Sequence, residues 1–112
     1  MSVDIRTVGD VRIIDWHGKI TLGEETMAVR NTVRDIVSGG AKKVVFNLAN
    51  VPYIDSSGVG ELVSTYTTVR NAGGQVKLLN LTKKIHELLA ITKLLTVFEV
   101  FDNENAALSS FR

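Results

Sequence analysis

Residues 44–60 read VVFNLANVPYIDSSGVG, and they determine how the rest of the chain is interpreted. The first five residues are nearly all apolar and β-prone, which is typical of a central strand covered on both faces. The polar run Asp55-Ser56-Ser57-Gly58 follows. A helical period then begins in Leu62, Val63, Tyr66 and Val69. A buried strand that leads through a polar turn into a helix is a unit of an α/β fold.

An antiparallel hairpin and a helix are expected before this stretch. The pair Gly9-Asp10 separates two β-prone runs, residues 3–7 and 11–16, and so predicts a two-residue hairpin turn. Thr21-Leu22-Gly23-Glu24 has the spacing of a capping box, which predicts that Thr21 caps the first helix. Gly39-Gly40 ends that helix, since glycine tolerates a left-handed backbone. Its apolar positions are Val29, Val33, Ile36 and Val37.

The alternation of strand and helix continues to the end of the chain. Gly73-Gly74 stops the second helix, residues 76–81 form another buried strand, and Thr82 caps a third helix through Leu89. Residues 97–101 are the expected last strand, and Asn103 caps a short final helix. The order β-β-α-β-α-β-α-β-α predicts one α/β domain over residues 1–112. Its sheet is mixed but mostly parallel, with an N-terminal antiparallel hairpin and about four helices.

Composition excludes several classes of protein. The 112 residues are the size of one domain, and 45% apolar with 22% charged residues is a globular balance. The net charge of +1 gives no overall attraction to nucleic acid or acidic lipid. The absence of cysteine excludes disulfides and thiolate chemistry. Residues 1–6 lack the order of a signal peptide, and no apolar run approaches the ~20 residues that span a bilayer, so a cytoplasmic location without a membrane partner is expected.

The Asp-Ser-Ser-Gly run permits two interpretations. Asp and Ser are favoured at a helix start because their oxygens accept from free backbone N–H groups, so the run is explained by capping alone, with Gly58 and Gly60 packed closely. Alternatively, one serine accepts a phosphate, which a helix N-terminus tolerates and which adds about −1.5 to −2 charges. A partner that docks over this point would then be repelled. Spacing alone favours the cap.

Ten residues, Val51 to Gly60, resemble the signature of the STAS-domain anti-sigma factor antagonists. The preceding strand, Val45–Leu48, is similar to the strand that this family has before its signature. The opening hairpin, the step Gly18-Lys19-Ile20 into the first helix and the Gly-Gly helix ends also fit. The resemblance covers nearly the whole chain, and it implies a STAS-like domain.

This resemblance also implies a partner-switching cycle. The unphosphorylated protein binds an anti-sigma factor that is also a serine kinase, and a sigma factor is released. The kinase phosphorylates the serine directly after the motif aspartate, here Ser56, which breaks the complex, and a serine phosphatase resets it. Asp55 flanks the acceptor, Ser57 lies beside it and Gly58 keeps the backbone accessible, so these four residues form the expected partner-binding site. The protein is then a binder and a substrate, with no enzymatic activity and no cofactor.

A structural role is the alternative. Many switchable members of the family have an acidic residue where this chain has Thr21, and its acidic charges come later, at Glu24 and Glu25. The domain would then be a STAS subunit of a larger signalling or transport complex, with the serine only as a helix cap. The intact pair Asp55-Ser56 favours the switch. Some members of a late apolar group are expected to remain exposed on the third helix and to enlarge the partner surface. The group consists of Leu88, Leu89, Leu94, Leu95, Val97 and Phe98.

Other chemistry has weak support. His17 and His86 are too few for a metal site in a chain without cysteine. A serine hydrolase needs a base and an orienting acid around its serine, and the Gly-x-Ser-x-Gly elbow is missing. Residues 39–43 lack the spacing of a phosphate loop. The basic residues are scattered without interleaved aromatics, so no nucleic-acid partner is expected.

Overall fold

A five-stranded sheet forms the centre of the molecule, of which the computed structural model describes residues 2–111. The strands lie side by side in chain order, from β1 to β5. The first pair is antiparallel, and every later neighbouring pair is parallel. The strands are β1 (Ser2–Val8), β2 (Val11–His17), β3 (Lys43–Asn50), β4 (Gln75–Leu79) and β5 (Val100–Phe101).

In the described part of the chain, four α-helices connect and cover the strands: α1 (Glu24–Ser38), α2 (Ser56–Asn71), α3 (Lys83–Ile91) and α4 (Glu104–Ser109). The first three pack on one face of the sheet, and α4 packs on the other. The predicted mixed α/β fold with its opening hairpin is therefore confirmed. Within residues 2–111, no helix is both long enough and apolar enough to cross a bilayer.

The central strand β3 is buried from both sides, as its sequence indicates. Val44, Phe46 and Leu48 point into the larger core beneath α1, α2 and α3. Val45 points the other way, into the smaller core beneath α4. Trp16 packs its ring edge-on against Phe46, with 5.4 Å between the ring centroids. Side chains alternate across a strand, so an almost continuous apolar run is what two covered faces require.

The start of α1 differs from the prediction. Thr21 does not cap this helix, which begins at Glu24 with Gly23 as its N-cap and without a side-chain cap bond. The loop before α1 is held elsewhere, because Ile20 pairs with Ile54 in an isolated parallel bridge. Such pairing keeps the backbone extended and delays the helix by two residues. The capping box therefore failed as a prediction because a non-local contact outcompeted a local one.

The end of the sheet is also shorter than predicted. Of the predicted residues 97–101, only Val100 and Phe101 pair with β4, and a short 3-10 helix over residues 94–96 precedes them. Phe98 is buried and packs edge-on against Tyr66 of α2, with 5.5 Å between ring centroids. The chain therefore turns inward at residue 98, and the β-prone composition of residues 97–101 is explained partly by this packing.

The predicted caps of the two later helices are confirmed. Thr82 accepts a hydrogen bond from the backbone N–H of Ile85, and Asn103 accepts one from Ala106. These bonds fix the starts of α3 and α4. Residues of α3 line one groove together with residues at the beginning of α2.

Candidate partner-binding site

Asp55 is the residue that organises the start of α2. One carboxylate oxygen, Oδ1, accepts from the backbone N–H of Gly58 at 2.8 Å and caps the helix. The other, Oδ2, accepts from the backbone N–H of Leu22 at 3.0 Å. The loop before α1 is thereby tied to the turn before α2. A single side chain joins two segments that lie 33 residues apart in the sequence.

These hydrogen bonds act on the charge of Asp55. The backbone N–H of Leu22, then that of Gly58, lowers the pKa of the carboxyl group below its ordinary value of 3.8. A hydrogen bond donated to a carboxylate favours its ionised form. Asp55 is therefore a fixed negative charge at neutral pH, directly beside the serines.

The lowered pKa of Asp55 leads to a prediction for acid stability. A carboxyl group with a depressed folded-state pKa stabilises the fold above its unfolded pKa, and this contribution is lost as the pH falls through the folded-state pKa. We expect the wild-type thermal midpoint to fall more steeply below about pH 4 than that of Asp55→Asn, which keeps a capping oxygen without the charge. Thermal melts across the acidic range measure this difference. Asp102→Asn, at an exposed aspartate away from the site, is the control; equal slopes for wild type and Asp55→Asn would contradict the assignment.

Ser56 is the first residue of α2 and is exposed, and Ser57 beside it is partly exposed. The cap bond is made by Asp55 and not by either serine. Of the three polar residues Asp55, Ser56 and Ser57, only Asp55 therefore acts as the cap. The hydroxyl of Ser56 is left available at a helix start, next to a carboxylate.

Gly58 does not keep the backbone accessible as expected, because it is buried at a point where two backbones approach closely and its N–H is bonded to Asp55. A Cβ atom at this position would lie 2.5 Å from the carbonyl oxygen of Ile20 and 3.1 Å from the Cβ atom of Ile54. The contact holds the loop before α1 against the first turn of α2. Gly60 behaves differently from the expectation of close packing, because a Cβ atom there would meet nothing within 4 Å.

The position of Thr21 is next to this site, in the loop that Asp55 holds. Its hydroxyl donates to Oε1 of Glu25 at 2.6 Å, and this bond lowers the pKa of Glu25. A carboxylate is therefore held on the side chain of Thr21. The negative charge near Thr21 therefore comes from Glu25, four residues later in the chain, whose side chain reaches back to the Thr21 hydroxyl.

A groove between the start of α2 and the exposed side of α3 adjoins Ser56. Its volume is about 380 Å³, and its walls are mostly apolar. They include Ser56, Val59, Lys84, Leu88 and Ile91. Ile91 is 79% exposed, the highest exposure of any large apolar side chain in residues 2–111. Leu88, one of the residues expected to be exposed on the third helix, is half-buried. The sequence analysis missed Ile91, although its position three residues after Leu88 places it near that residue on the helix surface.

The family of the chain follows from a comparison with known domains. The model of the STAS domain matches residues 2–107. This chain belongs to the STAS domain family. As a STAS domain it is 30% identical over 66 residues to an anti-sigma F factor antagonist of Paenibacillus polymyxa, a match that covers 59% of this chain and 56% of the relative. It is 38% identical over 53 residues to an anti-sigma-B factor antagonist of Bacillus subtilis, covering 47% of this chain and 49% of that protein.

The fold of this STAS domain is also that of solved proteins. The Bacillus cell fate determinant SpoIIAA in its phosphorylated form superposes with a TM-score of 0.77 at 18% identity, over 99% of this chain and 100% of that one. The matches to the two curated relatives span about half of their length. Similarity to SpoIIAA at this level of identity concerns the fold.

The two histidines of the STAS domain lie on different elements, β2 and α3. His17 contacts Asp4 at 3.1 Å and Asn50 at 3.1 Å, whereas His86 is exposed on α3. Within residues 2–111, no group of three or more acidic or histidine side chains is arranged to hold a metal ion.

Proposed function

We propose that the protein is an anti-sigma factor antagonist controlled by phosphorylation of Ser56. The unphosphorylated domain binds an anti-sigma factor that is a serine kinase, and a sigma factor is released. Phosphorylation of Ser56 by that kinase reverses the binding, and a serine phosphatase restores it. The observation that carries this proposal is the exposed hydroxyl of Ser56 at the first position of α2, beside the ionised Asp55 and free of the capping role.

Electrostatics supports a switch that acts without unfolding the domain. The first turn of a helix has unpaired N–H groups and the positive end of the dipole, so a phosphate on Ser56 is tolerated there. Together with Asp55 it gives about −2.5 to −3 charges at one point of the surface. A partner that has buried this point must then desolvate those charges or leave. The fold persists and the complex does not.

The partner surface that we infer comprises Asp55, Ser56 and Ser57 with the adjoining groove along α3, and the buried Gly58 supports it from beneath by letting the Ile20 loop pack on α2. Burial of the apolar walls by a partner would favour binding. Lys84 at the edge provides a cation for a carboxylate of the partner. Because Ser56 is itself part of the wall, a phosphate on it enters the contact area. One modification therefore affects both the charge and the shape of the interface.

The relatives support the same role. Two are named as antagonists of anti-sigma factors, and SpoIIAA, a protein of this fold, has been solved in a phosphorylated form. Thr21 does not argue against the proposal, because its hydroxyl donates a hydrogen bond to Glu25 in the first turn of α1, which holds acidic charge beside the same loop. The competing function is a STAS subunit of a larger signalling or transport complex, without a switch.

Intact-mass spectrometry is the direct test of the phosphorylation. The purified protein is incubated with ATP and each serine-kinase anti-sigma factor encoded in the same genome, and the product is mapped by peptide. We expect one added phosphate on Ser56, lost in Ser56→Ala and retained in Ser57→Ala. A stable complex with no phosphate would favour the structural subunit, and phosphate on Ser57 alone would refute the assignment to Ser56.

A further inference from the structure

A second cleft, remote from the groove beside Ser56, lies between α1 and α2. We propose that this α1–α2 cleft is a binding site for a small phosphate-type oxyanion. Its walls are mostly polar, and besides Val33 they consist of Arg30, Arg34, Glu61, Ser64, Thr65 and Thr68. None of these residues lines the groove beside Ser56, so the site is independent of the proposed switch.

Arg34 is the cation of the cleft that is available to bind a ligand. Nη2 of Arg30 contacts Oε1 of Glu61 at 2.9 Å, and Glu61 is only 5% exposed. A buried carboxylate requires such a partner, so this pair neutralises itself and fixes the guanidinium of Arg30 at the wall. Arg34 follows one turn later on α1, and no carboxylate of residues 2–111 lies within ion-pair distance of it. Two guanidinium groups and one carboxylate give the cleft a net charge of +1.

The hydroxyl of Thr65 is the observation that points to a ligand. Thr65 is 2% exposed and lines the cleft, yet its Oγ1 atom has no hydrogen-bond partner within residues 2–111. Buried hydroxyls nearly always have a partner, and an unpartnered one needs an explanation. The Oγ1 atom is itself buried, but because it has no partner in this position, the side chain can rotate toward the cleft without losing a hydrogen bond and donate to an oxyanion there. Ser64 and Thr68 lie one turn apart on α2 and contribute two further hydroxyls to the same wall.

The size of the cleft limits the ligand. Its volume is about 220 Å³, whereas pockets for drug-sized ligands have roughly 300–1,000 Å³. A free phosphate or a small organic phosphate matches this volume, the single available guanidinium and the three hydroxyls. Guanidinium groups bind the oxygens of phosphate by charge-assisted hydrogen bonds, and hydroxyls complete the set.

The test is a titration of the isotope-labelled protein with inorganic phosphate, followed by NMR at constant ionic strength. We expect saturable shifts of amide signals in α1 and α2 around residues 30–34 and 61–68, with chloride as the ineffective anion. Arg34→Gln should weaken binding about tenfold, since it removes a charge-assisted contact. The matched control is Arg70→Gln, which removes the same charge from α2 outside the cleft and should change affinity by less than about twofold.

Thr65→Val is a second variant that should remain folded, so a loss of phosphate binding can be attributed to the cleft. Removal of an unpartnered buried hydroxyl should leave the thermal midpoint unchanged or raised, while phosphate affinity falls about fivefold. Equal weakening by Arg34→Gln and Arg70→Gln, or shifts spread over the whole surface, would mean nonspecific screening and would overturn the proposal. So would an absence of saturation, or full phosphate affinity in Thr65→Val. A small organic phosphate that binds more tightly than free phosphate would identify the larger of the two ligand types.

Discussion

Ser56→Asp is expected to weaken the complex with the anti-sigma factor kinase by about a hundredfold or more. The added carboxylate stands next to the ionised Asp55 and enters the wall of the groove. A like-charge pair that must be buried in an interface costs several kcal/mol, and each 1.4 kcal/mol is about tenfold in affinity. Isothermal titration calorimetry of the variant with the kinase measures the loss. The thermal midpoint should stay within about 3 °C of wild type, because acidic residues are tolerated at a helix start.

Controls separate charge from shape at the same position. Ser56→Ala should bind constitutively in the presence of ATP. Since Asp55 and not Ser56 makes the cap, Ser56→Ala should cost less than about 0.5 kcal/mol of stability, whereas a capping serine would cost about 1 kcal/mol. Ser64→Asp, on the same helix but outside this surface, should bind as wild type does. Unchanged binding by both Ser56 variants would exclude the switch.

The extent of the partner surface is tested by Ile91→Glu. This change introduces charge into the groove on α3 without touching Asp55 or Ser56. Ile91 is 79% exposed, so the fold should be unaffected. Weaker kinase binding would support the groove as part of the interface, and wild-type affinity would restrict the interface to the start of α2.

Gly58→Ala is expected to destabilise the domain by about 1–3 kcal/mol, the range for side chains forced into a packed site. The new methyl group would lie 2.5 Å from the carbonyl oxygen of Ile20, which belongs to the backbone and cannot rotate away. The loop before α1 must move, and the bond from the Leu22 N–H to Asp55 should lengthen with it. Chemical denaturation measures the loss, and slower phosphorylation of Ser56 should accompany it.

Gly60→Ala is the matched control in the same helix. Gly60 is exposed, lies inside α2 and has open space around its Cα. Alanine is favoured over glycine in a helix interior by about 0.5–1 kcal/mol, so this variant should be more stable than wild type. The two substitutions make the same chemical change two residues apart, with opposite expected signs. Equal effects of both would mean that the approach of the Ile20 loop does not constrain Gly58.

Most of the architecture could be predicted from local patterns. The apolar run of β3, the Gly9-Asp10 turn and the glycine helix ends each depend on neighbours in sequence, and so do the caps at Thr82 and Asn103. The predictions failed where a contact with a residue distant in the sequence competed with the local structure that the pattern predicts. The Ile20–Ile54 bridge displaced the capping box at Thr21, and the packing of Phe98 on Tyr66 shortened the last strand.

The sequence by itself determined the α/β order, the family resemblance and the candidate serine, since all of these are encoded in spacing and residue type. Only the tertiary structure decided that Asp55 alone caps α2 and that Gly58 but not Gly60 is sterically required. It alone placed Ile91 and Ser56 in the walls of one groove. It also joined Arg34 to Thr65 in one cleft. The physical reason is that periodicity reports which face of an element is apolar, whereas the neighbours of that face are chosen when the helices pack on the sheet.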